Sequence, residues 1–187
     1  MKLISPSDWL ELRKHVPKQF HNLVEACYNL EKMFHWLISD GNMQRIPQLN
    51  MFFGLAFRII REYIYIVQLE RGTDDEQIKK IREDIRLSLS TILEIDRHGN
   101  IFRKNIIPDV MMHYEKGNIE DYIATIIEPV MTFIHSVIYD SLKSVIDKLE
   151  KSFVSNFVRE STLKALAITA AKKQELSALI EEGEGAK

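Results

Sequence analysis

Glu31 and His35, Glu94 and His98, and Asp109 and His113 each place a carboxylate four residues before a histidine. On a helix that spacing puts both side chains on one face, where they could offer two metal ligands or act as an acid–base couple. Stronger metal patterns are missing. Neither the Glu-x-x-His of di-iron bundles nor His-Glu-x-x-His occurs in the chain. With 27 acidic residues in the chain, isolated pairs of this kind arise without a dedicated site. The expectation is therefore no catalytic residue, no metal and no cofactor, with an enzyme or metal sensor using an acid–histidine pair as the second alternative.

Cys27, the single cysteine, excludes a disulfide within the chain and a four-cysteine zinc site. It falls on the apolar side of its helix, where burial makes a thiol inert. His135 lies beside Phe133 and Ile134 in an apolar ridge and reads as a core or interface histidine. The glycines are isolated rather than clustered, so no phosphate-cradling loop is present. HEPN ribonucleases place an arginine four to six residues before a catalytic histidine, and this chain has no such spacing.

The formal net charge is −2, so no global attraction to nucleic acid or anionic membrane follows. Local basic groups do exist. Arg97, Arg103 and Lys104 flank the His98-Gly99-Asn100 break and are the candidate phosphate contacts of a nucleic-acid-associated protein, the first alternative function.

Elements that position these residues are marked by short polar breaks at Gly41, Gly72, Gly99 and Gly117. Glycine there can end one helix, and a neighbouring polar residue can cap the next. Ser5-Pro6-Ser7-Asp8 opens a first helix, and Pro17 a second, whose apolar face includes Leu23, Cys27, Leu30 and Phe34. The segment from Leu49 to Leu69 is apolar all round, with Gly54 expected at a close helix crossing. Thr73 and Glu76 have capping-box spacing before a helix expected over 75–97 that buries Ile78, Ile81, Ile85, Leu89 and Ile92. An irregular stretch with one short helix follows. Asn118 is expected to cap a long helix from Tyr122 to Leu149, bent near Pro129, and a further alanine-rich helix runs over 162–181. No strand is expected, because no alternating run is bounded by hairpin turns.

Together these features define an all-α, single-domain antiparallel helical bundle of about six or seven helices. Residues 1–182 form the domain and 183–187 a flexible C-terminal tail. Met1–Trp9 has no continuous apolar run and Tyr122–Tyr139 is interrupted by Glu128, Pro129 and His135, so a cytoplasmic protein without a membrane span is expected. The leading functional expectation is a non-catalytic interaction or assembly protein. Its helix face would comprise Leu163, Leu166, Ala167, Ala170, Leu176, Leu179 and Ile180, docking on a second copy or on a partner protein.

Overall fold

The computed structural model describes residues 4–39 and 46–184, with side chains through 164 and at 167. The Gly41 break and residues 185–187 lie outside the described residues. The chain divides into two compact units, 1–143 and 144–187. The first contains α1 (Pro6–His15), a 3-10 turn (Lys18–Phe20), α2 (His21–Ile38), α3 (Ile46–Arg71) and α4 (Glu76–Ser88). It continues through β1 (Leu93–Ile95), β2 (Ile101–Arg103), α5 (Ile107–Glu115), α6 (Ile119–Phe133) and a π-helical turn (Ile134–Tyr139). The last helix, α7 (Asp140–Glu184), opens in the first unit and supplies the second. Counting α6 through α7 as one run, the described residues hold six helices and one two-stranded sheet, so the fold is all-α.

Local chemistry explains the helix starts. Ser5 and Asp8 form a reciprocal capping box, with Pro6 in the first turn of α1. At α4 the cap is Asp75, whose carboxylate accepts from the Gln77 backbone N–H, rather than Thr73. Asn118 occupies the cap position of α6, but its side chain turns back to His113 instead of to the helix. Gly72 and Gly117 take positive φ values of 89° and 73°, the left-handed conformation that suits a helix end.

The core follows the helical spacing. Leu23, Val24, Cys27 and Leu30 of α2 meet α1 and α3, while Ile78, Ile81, Ile85 and Leu89 close α4 onto the same interior. Ile123, Ile126, Ile127 and Val130 line the buried side of α6. The run Ile119–Lys164 is long and apolar enough to cross a membrane by length and composition, and half of its most apolar window is buried in the protein.

The strands correct the helix expected over 75–97. The helix stops at Ser88, and Leu93–Ile95 pairs antiparallel with Ile101–Arg103. Asp96 closes the turn by accepting from the backbone N–H groups of His98 and Asn100 and from the Asn100 side chain. Gly99, with φ of 83°, is therefore a hairpin residue and not a helix end. The strands span three residues each, too short for an alternation to register.

Gly54 is also reassigned. A Cβ there would lie 3.3 Å from Arg103 Nη1, so the close neighbour is a guanidinium from β2 and not a crossing helix. The second unit is α7 alone, without the break expected between Leu149 and Thr162. Residues 149–164 of this helix are exposed.

Candidate functional site

The most concentrated polar chemistry in the interior is built from three elements. Glu31 on α2 is fully buried, and its Oε2 accepts from Trp9 Nε1 of α1 at 3.2 Å. The same oxygen lies 2.7 Å from His135 Nε2, which the π turn carries. Trp9 also meets the Tyr139 ring edge-on at 5.0 Å, so the π turn contacts both Glu31 and the indole that donates to it. The extra residue of a π turn shifts side-chain register, and here His135 faces inward while Ser136 is exposed.

The cluster is strongly held but closed. Glu31 Oε1 and His135 Nδ1 are buried without a hydrogen bond, and neither residue lines either of the two surface grooves described below. Its contacts give a buried carboxyl group two partners from within the fold. Cys27, one helical turn before Glu31, is held well above the usual thiol range, first by burial and then by the Glu31 and Glu62 carboxylates. This is the inert core thiol its spacing implies.

Of the three acid–histidine pairs expected from the sequence, only Glu31 and His35 come together, at 3.6 Å, with His35 exposed and Glu31 buried. Glu94 and His98 separate onto a strand and a turn. His113 leaves Asp109 for Asn118, at 3.0 Å, and stacks on Tyr122. Glu11 and His15 share the same spacing on α1 and do meet, at 3.2 Å, although Lys14 also pairs with Glu11 and all three are exposed. Among the described residues, no three histidine, cysteine or carboxylate side chains converge on a common metal position.

Each candidate phosphate contact has a partner within the protein. Arg103 donates to the Asn50 backbone carbonyl and to Asn50 Oδ1, binding β2 to α3. Lys104 donates to the Ser90 carbonyl at 2.7 Å, and Arg97 contacts His98. Arg103 and Lys104 brace the hairpin, whereas Arg97 meets only its neighbour in the turn.

Two larger grooves flank the hairpin and α4. One, about 900 Å³, separates α4 from α6 and carries Lys80, Asp84, Thr125 and Glu128 at its polar positions. The other, about 540 Å³, lies between α3, α4 and the hairpin turn and contains Arg58, Arg61 and Arg82. The α3 arginines correct the expectation of a helix apolar all round: Arg58, Arg61 and Tyr65 leave one side open. Their spacing of three and four residues within an apolar helix was the available signal.

Leu163 and Ala167 are exposed, while the side chains of Leu166, Ala170, Leu176, Leu179 and Ile180 lie outside the described residues. Exposed Leu149, Phe153, Val154, Phe157 and Val158 precede them on α7. The molecule is thus a helical protein with a closed polar core, a hairpin and a last helix that carries exposed apolar side chains. No family model, curated protein or solved structure matches the chain.

Proposed function

We propose that the protein is a non-catalytic assembly module that joins a second copy of itself through α7. The observation that carries this reading is the exposure of Leu149, Phe153, Val154, Phe157 and Val158 on one helix, with Phe153 at 72% and Phe157 at 63%. Two phenylalanines this open in water forfeit most of the gain that burying an aromatic ring provides. Leu149, Phe153 and Phe157 form one row at four-residue spacing, and Val154 and Val158 form the next. Such rows are the ridges that interlock between crossing helices. Ala167 stands about five turns beyond Leu149, on the same side of the helix.

A second copy is the occupant that the charges favour. Lys148, Lys151, Arg159 and Lys164 alternate along α7 with Asp147, Glu150 and Glu160. A surface of mixed sign can meet its own copy without a like-charge block, whereas docking on a strongly charged partner would leave half of these groups opposed. At 45 residues the helix is roughly 68 Å long, enough for two copies to cover an interface of ordinary size.

Light scattering coupled to size exclusion tests the proposal on the full chain over a range of concentrations. The expected result is a dimer or higher species that Phe153→Glu/Phe157→Glu converts to monomer while the helical circular dichroism of the first unit persists. A wild-type chain that stays monomeric at every concentration overturns it.

A further inference from the structure

We infer that the groove between α3, α4 and the hairpin turn is a binding site for a small phosphorylated ligand, held by Arg58, Arg61 and Arg82. The argument begins with Arg82. Its Nε is buried and has no hydrogen-bond partner, an arrangement native proteins rarely leave uncompensated. The guanidinium rests against the hairpin turn: a Cβ on Gly99 would lie 2.8 Å from Arg82 Cζ and about as close to both terminal nitrogens. Glycine is therefore required at 99 twice, by its φ of 83° and by the arginine laid over it. The turn holds the planar fork in place before any ligand arrives.

Arg58 and Arg61, three residues apart on α3, enter the same groove. Among the described residues, none of the three arginines has a carboxylate within ion-pair distance. Glu62 is the one acid lining the groove, so its formal charge is +2 from three arginines and one glutamate. Arginine forks suit phosphate oxygens, which accept two parallel N–H bonds from each guanidinium. Exposed solvated arginines need no ligand, but an arginine positioned by a glycine turn with a buried, unpaired N–H is a built feature.

Size and lining favour a small ligand over a nucleic-acid strand. The volume, about 540 Å³, is that of a pocket for a small molecule. Tyr65 stands one turn beyond Arg61, 60% exposed, and offers a ring on which a planar group can stack. Phosphate groups would lie on the arginines and a planar body along Tyr65. This site is independent of the α7 assembly surface.

Calorimetric titration of the full chain with inorganic pyrophosphate, ADP and a short single-stranded oligonucleotide at low salt tests the inference. Pyrophosphate and ADP are expected to bind, ADP more tightly. Arg58→Gln/Arg61→Gln, at exposed positions that leave the fold intact, should weaken both by at least about tenfold, as should Arg82→Met. Binding of ADP that is unchanged in these variants overturns the site. Failure of pyrophosphate and ADP to bind wild-type protein also overturns it, as does capture of the oligonucleotide alone.

Discussion

Glu31 and Arg82 are both charged side chains drawn into the first unit, and the protein treats them in opposite ways. Around the glutamate, α1 and the π turn deliver Trp9 and His135, so the charge meets its donors inside the fold. Around the arginine, the hairpin supplies only the backbone of Gly99, and Arg82 Nε is left unpaired. A charge neutralised from within belongs to the fold, since its removal leaves its partners stranded. A charge positioned but left open is poised for something outside it. The contrast separates two regions that share a bias toward buried polar atoms.

The sharpest way to break the comparison is Glu31→Ala. Removing one member of a buried charged cluster strands Trp9 Nε1 and His135 Nε2, and the expected loss is about 3–5 kcal/mol in urea unfolding. A loss below about 1 kcal/mol would mean that the cluster does not hold α1, α2 and the π turn together. At the groove, Gly99→Ala should cost roughly 1–3 kcal/mol, from the positive φ and the displaced Arg82. Its diagnostic signature is local: hydrogen exchange should quicken at the Asp96–Asn100 turn, with the amides around Glu31 unaffected. Equal acceleration at both regions would show that they are one cooperative unit.

Alkaline pH adds a smaller effect on the Glu31 side. Cys27 has its folded pKa raised, chiefly by burial, so the unfolded chain loses the thiol proton first. Native protein then binds more protons than unfolded protein, and stability falls as pH rises above the usual thiol value of about 8.5. The expected slope is at most about 1.4 kcal/mol per pH unit. Tyr63, also raised by burial, adds to it above about pH 10. Denaturation midpoints from pH 7 to 9.5 measure the slope, and Cys27→Ala should flatten it. A slope unchanged in that variant assigns the effect to other groups.

How far these regions are legible in the sequence depends on the distance over which they are assembled. Ile78, Ile81 and Ile85 announce a buried face because a helix repeats within four residues, and Cys27 is placed correctly for the same reason. Glu31 and His135 are 104 residues apart, and no periodicity links them. Pairing Glu31 with His35 therefore captures only the longer of its two histidine contacts. The hairpin is hidden because its strands are short and its turn carries the same glycine–asparagine mark that elsewhere ends a helix. That mark points to Arg97, Arg103 and Lys104, of which Arg103 and Lys104 also tie the hairpin to α3 and to the Ser90 carbonyl. The open arginines arrive from α3 and α4, which only the folded chain brings to Gly99.

The smallest effect carries the most information about Arg82. Methionine preserves the unbranched stem of arginine while removing the buried N–H, so packing is retained and the unsatisfied donor is lost. Arg82→Met should leave the unliganded stability unchanged or raise it by up to about 1 kcal/mol, opposite in sign to Glu31→Ala. Functional sites commonly show this trade, in which a group that costs stability is retained for what it binds. Chemical denaturation without added ligand gives the answer. A loss greater than about 1 kcal/mol would place Arg82 beside Glu31, as a charge whose partners are internal, and would erase the distinction between the two regions.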